Sequence, residues 1–206
     1  MPLLRPLASA LPLALLLGTP ARADGGWTRV DEDKGVLLER REVAGSSWHE
    51  LRASARSPLP AAQVFAAVIS NRQDDPKVKK TVKRYDVLRE DASGRTVYEQ
   101  VRAPLVSDRD YTVRIDWRGE GGHYLVTFRL VNEAGPPPQP GFVRMPEVRG
   151  HWKIDADPAG GSRVEYVVFS DPGGNIAAWI ARGAQQGSTR QNVLDTLDYA
   201  AAHPVR

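Results

Sequence analysis

The chain has 206 residues, a formal net charge of +3, 41% hydrophobic and 26% charged residues, and no cysteine. That length suits one domain whose core needs no covalent staples, and the composition is that of a folded chain rather than a disordered one. Without cysteine there is no disulfide, no thiolate zinc site and no thiol nucleophile, while a pI of about 9.3 raises the question of nucleic acid.

In chain order, Arg5 precedes an apolar run from Leu7 to Leu17, and the segment ends in Ala21-Arg22-Ala23. This is the layout of a signal peptide over residues 1–23, and the run is shorter than the roughly 20 apolar residues that a spanning helix needs. Export to a periplasm or an extracellular space is the expectation, leaving one domain over 24–206. Arg5 and Arg22 leave with the leader, which brings the 28 basic residues close to parity with the 25 acidic ones. The nucleic-acid reading then loses its support, and none is expected as a partner.

Residues 35–43 and 48–56 form a predicted hairpin around Ala44-Gly45-Ser46. Ser57-Pro58-Leu59-Pro60 leads into a short helix from Ala61, with Val64, Phe65, Val68 and Ile69 on one face. A basic run follows at Lys77, Lys79, Lys80, Lys83 and Arg84. Four alternating segments come next, over 84–90, 95–103, 109–118 and 123–131, with turns at 91–94 and 119–122. The proline-rich stretch Ala134–Gly141 reads as a long loop between strands, which resume over 142–155 and 163–170. One long helix, from about Asn175 to Ala201, closes the chain, with Ile176, Trp179, Ile180, Ala184, Val193, Leu194 and Leu197 at helical spacing. Gly183, Ala184 and Gly187 make the middle of that face small, which predicts either close backbone approach or room for a ligand. About eight antiparallel strands with one long helix is an α+β layout. A sheet of that size curls, and a helix that plugs it leaves an apolar cavity, the usual form of a small-molecule site.

Signals of catalysis are weak. His49, His123, His151 and His203 include no pair at helical spacing and no metal-ligand pattern, and no nucleophile elbow or phosphate loop is present. No catalytic residue, metal or cofactor is expected. Alternation carries more information. Glu99 shares a strand face with Val97 and Val101. Arg109 is in phase with Tyr111, Val113, Ile115 and Trp117, and Arg144 with Phe142, Trp152 and Ile154 if no bulge intervenes at Pro146. Charges on apolar faces are costly unless paired. Either these three sit at strand ends or in ion pairs, or they make a polar spot in a greasy cavity. The basic run from Lys77 to Arg84 is a solvated face or a contact for an anionic membrane.

Three segments carry a resemblance. Ala103-Pro-Leu-Val-Ser-Asp-Arg-Asp-Tyr111 resembles the P-x-V-S-x-R-D-Y segment of START domains, the steroidogenic-acute-regulatory-related lipid-transfer family of the helix-grip, Bet v 1-like superfamily. Gly141-Phe-Val-Arg144 with Gly150-His-Trp-Lys-Ile154 resembles that family's next signature. Tyr166-Val-Val-Phe-Ser-Asp-Pro-Gly-Gly-Asn-Ile-Ala-Ala-Trp-Ile180 is similar to its D-P-G-G-x-I-P-x-W-L approach to the last helix. The segments come in the family's order, within about 27–201.

The resemblance implies a helix-grip fold, a curved antiparallel sheet wrapped around a C-terminal helix with an internal hydrophobic tunnel. It implies binding or transfer of a lipid rather than catalysis. Leu105 and Val106, in the loop Ala103–Ser107, together with Trp179 become the implied gate. Glu99 falls where the family often has a cavity acid, and Arg144 matches the family's arginine. Departures are Ala177 for proline, Arg182 for asparagine, and Ile115 where many members have a cavity arginine; Arg114 is one residue off, on the other face. The acid–arginine cavity pair is therefore not carried over.

The reading as a whole is a monomeric, exported carrier of one lipid or other hydrophobic molecule. Val97, Val101, Tyr111, Val113, Trp152 and Tyr166 wall its cavity, Glu99 and Arg144 orient the ligand's polar end, and an anionic membrane is a transient contact. The alternatives are a cyclase- or hydrolase-type enzyme on the same fold, using Glu99 with Tyr166 or His151, and a partner-binding module that uses the loop at Pro136–Pro140. Ligand identity does not follow from the sequence.

Overall fold

The structure, a computed structural model, describes residues 24–103, 106–176 and 178–205, apart from the side chains of Asp24 and of residues 178–181. The leader expected over 1–23, the gate residue Leu105 and the side chain of Trp179 lie outside the described residues.

Ten strands make one sheet. Strands β1 (Thr28–Asp33), β2 (Val36–Glu42) and β3 (His49–Ser57) form a meander. The β1–β2 turn is Lys34-Gly35, both left-handed with φ of 52° and 74°, as a tight hairpin turn demands. Helices α1 (Ala61–Ile69) and α2 (Pro76–Thr81) follow, then β4 (Val82–Asp91), β5 (Gly94–Val101), β6 (Asp108–Glu120) and β7 (His123–Leu130). After the proline-rich loop come β8 (Phe142–Arg144), β9 (Glu147–Ala156), β10 (Ser162–Asp171) and the long helix α3 (Ala178–Ala202). The spatial order is β1-β2-β3-β10-β9-β7-β6-β5-β4, antiparallel throughout. The exception is β8, which runs parallel beside the start of β6.

The expected strand over 142–155 is thus two strands. Pro146 cannot donate to a ladder, and the preceding Met145 N–H turns to the Asp110 carbonyl instead. Two elements escape the sequence pattern altogether. Strand β1 is polar and solvent-facing along nearly its whole length, so it shows no alternation. Helix α2 has six residues, and local chemistry starts it: the Asp75 carboxylate accepts from the Lys77 N–H at 2.8 Å, and Pro76 occupies the first turn.

The main core lies under α1 and the later turns of α3. Val36, Leu38, Val64, Ile154 and Val193 are fully or almost fully buried there, and Phe65 of α1 stacks on Tyr124 of β7 at 4.5 Å. On the opposite face of the sheet, Trp27 is buried between the guanidinium groups of Arg41 and Arg52, at 4.5 and 4.6 Å from the ring centre. The two edge strands are irregular: register shifts break β1 at Arg29/Asp31 and β4 at Val82/Arg84 and Val87/Arg89.

The small stripe on α3 requires a correction. Gly183, Ala184 and Gly187 are exposed, and a Cβ added at either glycine would meet nothing within 4 Å. They mark neither close packing nor ligand space. The inward face is Gln185, Thr189, Asn192, Val193, Thr196 and Ala200.

Candidate ligand cavity

Between the concave face of the sheet and α3 lies a cavity of about 630 Å³, lined from β3 to β7, β9 and β10, from the end of α1, from α2 and from α3. That volume is in the usual range for a small-molecule site, roughly 300–1,000 Å³. Its inner wall is apolar: Val101, Val113, Ile115, Phe128, Met145, Val148, Trp152 and Val168.

One polar row crosses this wall. Antiparallel register places Tyr85 of β4 opposite Glu99 of β5, and Glu99 opposite Tyr111 of β6. Same-face neighbours on adjacent strands are the closest side chains a sheet offers, and the Tyr111 hydroxyl donates to Glu99 Oε2 at 2.8 Å. Burial pushes the Glu99 carboxyl above its ordinary range, against the opposing effect of the Tyr111 hydrogen bond. Its free surface faces the cavity rather than bulk water. Among the described residues no lysine, arginine or histidine pairs with it. Ile115 lines the cavity where an arginine would have reached, and Arg114 points to the other face, onto Asp116 at 2.7 Å and Asp91 at 3.0 Å. Tyr111 is held far above the usual phenol range by burial and by the Glu99 charge. Burial also pushes Tyr166, which stacks on Trp152 at 4.4 Å, up to about 12. These phenols stay neutral donors at any ordinary pH.

Of the expected site residues, the fold brings Glu99, Tyr111, Val113, Trp152 and Tyr166 together on this cavity, with Val101 beside them. Val97 is fully buried in the small cluster behind Val113 and does not reach the cavity surface. Arg144 is corrected. The chain break at Pro146 removes the phase that linked it to Trp152, and its guanidinium grips the wholly buried Asp110 with two bonds of 2.9 and 2.8 Å. It donates also to the Pro136 carbonyl at 3.1 Å, which fastens the proline-rich loop to β6. Burial works against ionisation of Asp110, but the bonds from Arg144 and from the Tyr98 hydroxyl outweigh it and hold the carboxyl below its ordinary value. Arg109 is buried at its strand end, where it donates to the carbonyls of Pro172, Gly173 and Ser107 and so ties the loop before β6 to the turn before α3. Val106 is half-buried, with its N–H on the Ala103 carbonyl at 3.2 Å, and does not line the cavity. His151, next to the cavity-lining Trp152, faces outward and meets Glu165 at 3.4 Å. His151 is therefore not placed beside Glu99, whereas Tyr166 shares the cavity with it.

The rim of the cavity is the part that sequence reasoning missed. Lys77 on α2 bridges to Asp195 at 2.9 Å and Asp198 at 2.7 Å on α3. Arg72 pairs with Asp75 at 2.5 Å, donates to Thr196 Oγ1 at 3.1 Å and lies over the Tyr199 ring at 4.7 Å. The basic run is mostly compensated: Lys79 faces Asp74 at 3.7 Å, Lys83 meets Asp108 at 2.8 Å and Arg84 meets Asp86 at 2.7 Å.

The START domain profile matches residues 14–194, beginning inside the stretch read as a leader. The bovine (Bos taurus) phosphatidylcholine transfer protein is 26% identical over 192 residues, which cover 88% of this chain and 87% of that protein. The crystal structure of a STAR-related lipid transfer protein fragment from Xanthomonas axonopodis superposes with a TM-score of 0.70 at 25% identity, over 84% of this chain and 96% of that one. Human StAR-related lipid transfer protein 5 has the same fold, with a TM-score of 0.72 at 16% identity over 87% and 88% of the two chains.

Proposed function

The chain belongs to the START domain family, and from that footing we propose that it is an exported, monomeric carrier that takes one lipid into its cavity and releases it at a membrane. The observation that carries this reading is the apolar-walled cavity of about 630 Å³ crossed by a polar row at Glu99. A ligand that buries on the order of 250 Å² of apolar surface there gains roughly 6 kcal/mol at 25 cal/mol per Å², before the cost of association. The bovine relative's name, a phosphatidylcholine transfer protein, supports transfer over mere storage. Export rests on the Ala21-Arg22-Ala23 pattern and the short apolar run before it. Membrane contact rests on Lys79 and Lys80, exposed on α2, the helix whose Lys77, Val78 and Thr81 line the cavity; each basic residue near an anionic surface adds about 1 kcal/mol.

The test is purification from the compartment in which the protein works, followed by native mass spectrometry and a vesicle-to-vesicle transfer assay. The expected result is a chain that begins at Asp24, carries one co-purifying lipid, and moves labelled lipid faster into anionic than into neutral acceptor vesicles. Protein that is recovered empty, and that takes up no fluorescent lipid of any class, overturns the reading.

A further inference from the structure

The two short helices beside the cavity are fixed in different ways. Helix α1 buries Ala61, Val64 and Ala67. Helix α2 buries none of its six residues, and none of them joins either apolar cluster of the core. A helix of that length has little stability of its own, so polar contacts must hold it in place. The strand that continues it offers no firm rail either, since the register of β4 shifts at once, at Val82/Arg84. Segments with so few buried apolar contacts open at low cost.

Two sets of bonds tie α2 to α3. At its base Arg72 bonds Asp75, the residue that caps α2, and donates to Thr196 Oγ1 and to the Asp195 carbonyl, both at 3.1 Å. Further along, Lys77 meets Asp195 at 2.9 Å and Asp198 at 2.7 Å. The Arg72 side chain is 11% exposed and that of Lys77 43%. The first set is sheltered and the second stands in water.

Outside this contact lies a second groove, lined by Asp74, Asp198, Tyr199 and His203 among others. Asn71, Arg72, Lys77 and Asp195 line both the groove and the cavity. They are therefore the partition between the two. Parting Lys77 from Asp195 and Asp198 joins the groove to the cavity. An entrance shut by apolar packing loses that burial each time it opens. One shut by an exposed ion pair opens easily, because such a pair shifts an equilibrium only about 1.5- to 5-fold and salt screens it.

We infer that α2 is the door of the cavity: ligand passes between α2 and α3, with Arg72 as the pivot and the bridge from Lys77 to Asp195 and Asp198 as the latch. The inference rests on the carrier reading, and it puts the moving part at α2 rather than at the loop over 103–107.

The chain has no cysteine, so a reactive pair can be introduced cleanly. In Lys77→Cys/Asp195→Cys a short, cleavable bis-maleimide ties α2 to α3. Stopped-flow fluorescence with the neutral apolar dye N-phenyl-1-naphthylamine reads entry and exit without a membrane. Cross-linking is expected to slow both about tenfold or more, as a locked lid does, and cleavage of the link to restore them. Asp198→Asn loosens the latch from outside the cavity, and there entry and exit are expected to quicken together, about two- to fivefold. Added salt is expected to quicken both in the wild type, and less in Asp198→Asn. Melting curves report that the variants fold, and if the cysteine pair does not, Asp198→Asn carries the test. Cross-linked protein that exchanges dye as fast as before overturns the inference and leaves the carrier reading standing. So does an Asp198→Asn protein that folds and exchanges at the wild-type rate. If no form of the protein binds the dye, both readings fail.

Discussion

The same helix closes a full region and an empty one. Under its later turns, Val193, Leu194 and Leu197 pack into the cluster of Val36, Leu38, Val64 and Ile154. On the adjoining strip of the helix Gln185, Thr189, Asn192 and Thr196 line the cavity, and residues of β5 and β6 line it too. Here polar α3 side chains bond to the helix itself and to β10: Thr189 to the Gln185 carbonyl at 2.7 Å, Gln185 to the Ser170 carbonyl at 2.8 Å, and Asn192 with Tyr166. The lesson is that a cavity in this fold needs no special backbone. Polar inward residues that find partners on the helix or on β10, instead of packing as apolar ones would, leave the space unfilled.

The contrast can be broken most strongly from the side that fastens the cavity region to its loop. Asp110→Asn leaves the Arg144 guanidinium without its charge partner, and a loss of about 3–5 kcal/mol is expected in denaturant unfolding. Ile154→Ala opens a hole in the full region, where little can collapse into it, and about 3–4 kcal/mol should be lost; a ligand added in excess should restore little of it, since the hole lies away from the site. Glu99→Gln sharpens the contrast through pH. The unfolded carboxyl ionises around its ordinary value of 4.5, and the folded one at a higher pH. Between the two, the folded protein holds a proton that the unfolded chain has lost, so wild-type stability falls as pH rises through that window. The variant should lack this part of the fall, and the two melting curves should coincide below the ordinary value. Smallest is Gly187→Ala. The site is an exposed mid-helix position with open space, so it should gain up to about 1 kcal/mol by the difference in helix propensity, with ligand uptake unaffected.

The site was legible where strand phase is unbroken. Glu99, Tyr111 and Val113 follow from alternation within two continuous strands, and the register confirms that they share a face. Arg144 was misplaced because its phase was counted across Pro146, where the chain leaves one ladder and joins another. The glycines of α3 were misplaced for a different reason: a residue with no side chain has no polarity to show which way it faces. The rim could not be read at all. Asp75, Lys77, Asp195 and Asp198 are far apart in sequence, and each is an ordinary surface charge until folding sets α2 against α3. Tyr85 was missed because β4 is exposed along most of its length, so its one inward aromatic stands in no visible pattern.

The irregular edges of the sheet bear on life without cargo. An open sheet of ten strands presents two ladders of unpaired amides to any extended chain, and flat edges of that kind seed aggregation. At one end the shift at Arg29/Asp31 is followed by Asp31, Glu32 and Asp33; at the other, the shift at Val87/Arg89 sits beside the exposed pair Val87 and Leu88 and is followed by Arg89, Glu90 and Asp91. A kink spoils the spacing that a second strand would need, and the adjoining charges make a mispaired strand repel. A carrier must spend part of each cycle empty and dilute among other chains. Its two crooked borders keep that interval colloidally harmless.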